Sequence, residues 1–203
     1  MINHVKPDHP VHDLITKRWS PYGFAATPVS DDDLRCLFEA ARWAPSSYNE
    51  QPWSYIVAMQ SDPAAFARLL SCLVEANQAW AQHAPILMIS LARTTFARDG
   101  QPNRHALHDV GAATAQLTLQ ATALGLAVHP MAGIDLERIR AEYALPNDVE
   151  PVASIAVGWP GDPDELPERL REREKAPRER KSLDEIVLGG WDKQPAITCD
   201  PVS

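Results

Sequence analysis

The chain has 203 residues, of which 45% are hydrophobic and 23% charged, and its formal net charge is -8. This is the ordinary globular range and excludes wholesale disorder, while the acidic balance disfavours a nucleic-acid partner gripped by a basic face. The longest apolar run, Ala84 to Ala92, is about half the roughly 20 residues that a membrane-spanning helix needs.

A chain of this length buries about 70% of its extended surface on folding, so it needs no covalent staples. Cys36, Cys72 and Cys199 are far apart and form no CxxC, which points to neither a disulfide framework nor a zinc site. The first residues carry His4, Lys6 and Asp8 without an apolar leader, so a cytoplasmic protein is expected. No repeat or linker divides the chain. We expect one domain over 1–203, with a C-terminal extension from about residue 183.

In chain order, residues 8–18 place Val11, Leu14 and Ile15 on one face of a first helix, which Pro21 and Gly23 end. Ser30 is a good N-cap, and Asp31 to Asp33 suit the positive end of a helix running to about Ala44, where Pro45 stops it. Pro45 to Pro52 is a loop by composition and Trp53 to Met59 a strand. Pro63 to Ala81 reads as helix, in one or two pieces. Pro85 to Ala92 (PILMISLA) is a continuous run, apolar but for Ser90, of the kind that suits a strand buried on both faces. After a polar loop at 94–104, His105 to Gly125 is the longest helix candidate, with a stripe of small residues (Gly111, Ala112, Ala113, Ala115). A short strand at Ala127 to Pro130, a helix at Leu136 to Tyr143 and a strand at Val152 to Trp159 follow. Residues 162–181 are dense in charge, and Leu183 to Trp191 form a tail. Helices interleaved with three or four strands predict an α+β or α/β sandwich around a small sheet.

Four clusters could carry chemistry. Arg18 and Ser20 could grip a phosphate at a helix-to-loop junction, or Arg18 could be an exposed helix end. Ser46, Ser47, Asn49 and Gln51 offer neutral donors and acceptors to a heteroaromatic or polyol ligand, or bond their own turn. No His or Asp adjoins either serine, which argues against a nucleophilic serine. Arg178 and Arg180 share a face if the segment is extended and could complete an anion site, or belong to a solvated charge run. His105, His108 and Asp109 share a helical face and form a conceivable metal triad, or a polar helix start.

Taken together and in order, these motifs resemble the FMN-dependent nitroreductase family over Lys17 to about Trp191. R-x-S matches Arg18-Trp19-Ser20, and A-P-S-S-x-N-x-Q-P-W matches Ala44 to Trp53. An Asp before a small-residue helix matches Asp109 to Ala113, A-L-G-L matches Ala123 to Leu126, P-x-x-G matches Pro130 to Gly133, and R-x-R-K-x-L matches Arg178 to Leu183. The resemblance implies a three-layer α/β/α sandwich with a small central, mostly antiparallel sheet flanked by helices. It also implies a homodimer with two FMN sites at the subunit interface. Arg18, Trp19, Ser20, Arg178 and Arg180 would hold the FMN phosphate and ribityl chain. Pro45, Ser46, Ser47, Asn49 and Gln51 would reach the flavin from the other subunit. Backbone N–H groups of Ala132 and Gly133 would face flavin N5, and Asn77 would touch the ring or ribityl chain. Two positions depart from the family pattern. Tyr22 stands where many relatives have a basic residue, shifting phosphate binding toward Arg178 and Arg180, and Ala132 stands where some have Glu.

The implied activity is ping-pong hydride transfer from NAD(P)H through flavin N5 to an electron-poor acceptor such as a nitroaromatic or quinone, with no catalytic side chain and no metal. The alternatives are an FMN-binding storage or redox-sensing protein, or a specialised dehydrogenase, dehalogenase or flavin-cleaving member. A metal hydrolase on His105, His108 and Asp109 would instead be colourless.

Overall fold

A computed structural model describes residues 7–191 and 196. Eight α-helices and four strands are found among the described residues. They are α1 (Asp13–Lys17), α2 (Asp31–Arg42), β1 (Trp53–Met59), α3 (Pro63–Leu70), α4 (Glu75–Ala81), β2 (Ile86–Arg93), α5 (Ala106–Leu124), β3 (Ala127–Met131), α6 (Leu136–Tyr143), β4 (Val149–Gly158), α7 (Glu168–Lys175) and α8 (Leu183–Ile186).

The four strands form one sheet in the order β1-β2-β4-β3, antiparallel at every pairing. β2 is therefore central, and every residue from Ile86 to Ala92 is buried, as its apolar run predicts. Its side chains alternate between two cores. Leu87, Ile89 and Leu91 join Phe66 and Leu69 of α3, Trp80 of α4 and Ile139 of α6 on one face. Ile86 and Met88 join Leu37 of α2 and Leu117 and Ala121 of α5 on the other. Helices thus cover both faces of a small antiparallel sheet, which is the α+β, three-layer arrangement expected.

Local signals explain most boundaries. Ser30 Oγ accepts the Asp33 N–H at 3.0 Å and starts α2. Gly125, at φ 82°, ends α5 in the left-handed conformation that glycine adopts without strain. The first helix is shorter than expected because His12 Nδ1 accepts the Leu14 N–H at 3.2 Å and caps it there. The Pro63–Ala81 segment is two helices. Between them Leu73 bridges Ile134, and the Val74 N–H donates to Gly133 O at 3.1 Å. β4 begins at Val149, three residues before the expected Val152. Pro151 lacks a ladder donor, and the β2–β4 register shifts between Ser90 and Leu91, where Leu91 faces it.

The 162–181 charge run is not wholly solvated. It contains α7, and within α7 the Glu174 side chain is buried. Cys36 is exposed and Cys72 buried, both as free thiols, while Cys199 lies outside the described residues. No helix among the described residues is long and apolar enough to cross a membrane.

Candidate functional site

Arg18 leaves α1 and points into a cleft of about 490 Å³ lined by Ile15, Ser20, Gly111, Thr114, Thr118 and Pro130, among others. The floor is the α5 face that the small-residue stripe predicts. A Cβ built on Gly111 would meet nothing within 4 Å, so the helix backbone is open to whatever lies above it. Arg18 Nη1 donates to Ser20 Oγ at 3.0 Å, which aligns guanidinium and hydroxyl as one donor set.

The late R-x-R segment comes to the same place from the far end of the chain. Arg178 donates from Nη1 to Arg18 O at 2.7 Å and from Nη2 to Thr16 O at 2.6 Å, and its guanidinium lies 5.4 Å from the Trp19 ring centroid. Arg18 is half-buried, and its pKa is lowered by desolvation, then by the charges of Arg178 and Arg180. Desolvation and the Arg180 charge lower that of Arg178 too. The charged neighbours that act on Arg18 are therefore two more cations. An anion would relieve that repulsion, and the Arg18 guanidinium with the Ser20 hydroxyl, beside two further cations, suits a phosphate.

A buried carboxylate holds this segment. Glu174 Oε1 accepts Trp19 Nε1–H at 2.7 Å and Oε2 accepts the Tyr22 N–H at 2.7 Å. Tyr22, in the place of a basic residue, turns its ring inward, with centroids 5.2 Å from Trp80 and 5.0 Å from His129. His129 Nδ1 lies 2.8 Å from Pro21 O, which makes that nitrogen the N–H donor. Glu174 and His129 were not singled out in the sequence. Glu174 is one acid in an alternating charge run, and no local signal marks which member is buried.

The Pro45–Gln51 segment is a second cluster, at the start of α5. Asp109 is buried, its Oδ2 accepting the Ser47 N–H at 2.9 Å and its Oδ1 lying 3.0 Å from His108 Nδ1. Asp109 thus anchors a loop, and among the described residues no group of three or more His, Cys, Asp or Glu is arranged to hold a metal. Tyr48, Asn49 and Gln51 have φ of 54°, 57° and 51°, a left-handed backbone that costs non-glycine residues energy. Ser46 Oγ accepts the Gln51 N–H at 3.0 Å and Glu50 Oε1 accepts the Ala97 N–H at 2.6 Å, tying this loop together and to the 94–104 loop. Tyr48 is 77% exposed, with Arg98 4.4 Å from its ring centroid.

Asn77 and Gly133 form a third group. Asn77 Nδ2 donates to Gly133 O at 3.1 Å, and a Cβ on Gly133 would sit 2.6 Å from Asn77 Nδ2. Ala132 is exposed, two residues beyond the cleft-lining Pro130. Within one chain the structure therefore brings Arg18, Trp19, Ser20, Arg178 and Arg180 together. It groups Ser46, Ser47, Asn49 and Gln51 separately, and pairs Asn77 with Gly133.

The Nitroreductase family matches residues 15–159. The chain belongs to this family. Among similar proteins, this nitroreductase-family chain is 38% identical over 121 residues to an uncharacterised 15.4 kDa protein of Mycolicibacterium smegmatis, covering 60% of this chain and 80% of that one. It is 29% identical to an NADH dehydrogenase of Thermus thermophilus, covering 85% and 92% of the two chains. Among solved structures, an oxidoreductase containing FMN superposes with a TM-score of 0.85 at 34% identity, covering 91% and 94%. A nitroreductase family protein of Clostridium difficile superposes with a TM-score of 0.66 at 27% identity, covering 87% and 95%.

Proposed function

We propose that this nitroreductase-family chain is an FMN-dependent NAD(P)H oxidoreductase that works as a homodimer and reduces an electron-poor acceptor such as a nitroaromatic or a quinone. The observation that carries this reading is the convergence of Arg18, Arg178 and Arg180 beside a cleft floored by small residues of α5. The names of similar proteins agree with it, an NADH dehydrogenase and an oxidoreductase containing FMN.

FMN, when bound, supplies two-electron hydride chemistry between a reduced nicotinamide and the acceptor. The chain binds and orients. Arg18, the Ser20 hydroxyl and Arg180 hold the phosphate, and Arg178 adds charge beside them. Gly111, Thr114, Ala115 and Thr118, on the floor of the cleft, would give a planar ring an open helix face to lie on. Ile15, Leu119 and Pro130 keep water from its edges. The backbone N–H groups of Ala132 and Gly133 would serve the ring edge, in a turn that the bond from Asn77 to Gly133 O holds. Pro45, Ser46, Ser47, Asn49 and Gln51 of one copy would reach the ring held by the other, in keeping with their separation from the arginines in a single chain. Among the described residues the site offers no side-chain acid of its own, so the protons taken up by the acceptor would come from solvent.

The test is the chromophore and its reduction. Purified protein is expected to be yellow and dimeric, to lose its flavin absorbance under NADH or NADPH without oxygen, and to reduce menadione or a nitrofuran in steady state. A colourless protein that takes up no FMN would overturn the reading. An FMN-loaded protein inert to both nucleotides would overturn the enzymatic part and leave flavin storage.

A further inference from the structure

Two side chains four residues apart, Glu174 in the last turn of α7 and Arg178 in the extended segment beyond it, both act on the short segment that carries Arg18. Glu174 accepts from the Trp19 indole and the Tyr22 backbone, both at 2.7 Å. Arg178 donates to the carbonyls of Arg18 and Thr16 at 2.7 and 2.6 Å. Between them they fix the backbone from Thr16 to Tyr22 on both sides of Arg18, with partners about 150 to 160 residues away in sequence. At its far end His129 holds Pro21 O and the Tyr22 ring packs on Trp80, but on either side of Arg18 the backbone partners are Arg178 and Glu174, since α1 is only five residues long.

The sign of one charge makes Glu174 informative. A carboxylate close to a cluster of guanidiniums opposes the binding of a phosphate there. Its burial, at 8% exposure, also carries a desolvation cost that its two N–H partners must offset. A residue serving electrostatics alone would not be acidic at this position. The geometry points to another role. We infer that Glu174 and Arg178 are positioning residues for an FMN phosphate site, forming a clasp that aims Arg18 and Ser20 into the cleft. The inference rests on the FMN reading above. It reassigns Arg178, whose Nη1 and Nη2 each face a backbone carbonyl rather than the cleft.

The clasp and simple electrostatics predict opposite signs. Affinities for FMN and for riboflavin, which lacks the phosphate, are measured on the full chain by quenching of flavin fluorescence. In Glu174→Gln a buried negative charge is lost, and an amide N–H is set against a donor. Electrostatics alone predicts tighter FMN binding. The clasp predicts FMN binding about tenfold weaker or more, the loss of one charge-assisted hydrogen bond, with riboflavin affinity unchanged. Trp19→Phe removes the indole N–H together with the five-membered ring, keeps a smaller apolar ring, and is expected to weaken FMN in the same direction by a smaller factor. Arg178→Lys retains the charge and loses the fork, so it is expected to weaken FMN as much as Arg178→Gln does. Tighter or unchanged FMN binding in Glu174→Gln, or full rescue by Arg178→Lys, would overturn the clasp. A wild-type chain that binds FMN no better than riboflavin would overturn the phosphate site itself, a different failure with a different readout.

Discussion

Two loops of this protein are each held by a buried carboxylate, and they are held against different forces. Glu174 fixes the Arg18–Tyr22 segment, where the conflict is electrostatic: burial, and then the charges of Arg178 and Arg180, lower the pKa of Arg18. Asp109 fixes the Ser46–Gln51 loop, where the side chains are mostly neutral and the conflict lies in the backbone, with left-handed φ at Tyr48, Asn49 and Gln51. Strain of the first kind is relieved when an anion arrives. Strain of the second kind is present whether or not a ligand is bound, and serves to present side chains in one orientation. In both cases the acid accepts a backbone N–H, so its charge sets chain direction rather than pairing with a cation.

The comparison can be broken most strongly at Arg18. Arg18→Ala is expected to weaken FMN binding by roughly 10- to 100-fold, the worth of a charge-assisted contact, while riboflavin affinity holds. The melting temperature of the flavin-free protein should not fall, because removing one of three like charges relieves the others. A large fall in melting temperature with FMN affinity intact would show that Arg18 serves the fold instead. Next is Asp109→Ala, which strands the Ser47 N–H and should cost about 1–3 kcal/mol in urea denaturation. Asp109→Asn, which keeps an acceptor, should recover most of that; equal losses in the two variants would remove the anchor role.

The third test is pH. Burial, and then the charge of Arg18, push the His129 pKa below its ordinary 6.5, against the opposing hydrogen bond to Pro21 O. The folded state therefore binds this proton less readily than the unfolded state. Its contribution is complete above about pH 6.5 and is lost as pH falls toward the lower folded value. Thermal melting from pH 8 down to pH 5 should show a loss that is shallower in His129→Gln, and parallel curves would sink the assignment. The smallest effect is expected at Gln51→Gly. Relief of the left-handed backbone, about 1–2 kcal/mol, is partly cancelled by the greater freedom of the unfolded chain, leaving a gain under about 1 kcal/mol. A loss instead would mean that Gln51 makes a contact worth more than the strain.

The parts of this molecule legible in its sequence are those set by periodicity and by local chemistry. The apolar run of β2 has one good solution, burial on both faces, and it is found there. The α5 stripe and the Ser30 cap are local signals too. The meeting of Arg18 with Arg178 and Arg180 was legible only from the order of motifs, since nothing near either arginine tells of a partner at the far end of the chain. Glu174 was hidden because its neighbours Arg173 and Lys175 are equally charged and exposed, and burial of one member of such a run is decided by what packs over it. Asp109 was visible as a polar residue in a helical start but open to two readings, and the loop that selects between them lies 62 residues away. The start of β4 was missed because Pro151 argues against a strand, and the irregularity that accommodates it, an unpaired Val152 opposite Ser90 and Leu91, depends on the pairing with β2.

The strand order has a further consequence for biosynthesis. β2 sits between β1 and β4, and Ser154 of β4 donates its hydroxyl to Met88 O across 66 residues. At ordinary translation speeds of about 5–20 residues per second, that span takes roughly 3–13 s to emerge from the ribosome. During that interval the nascent chain carries a sticky hydrocarbon ribbon, half paired and open along its other edge. A chaperone that binds short aliphatic segments would find its target here, and pausing upstream of codon 149 would lengthen the exposure.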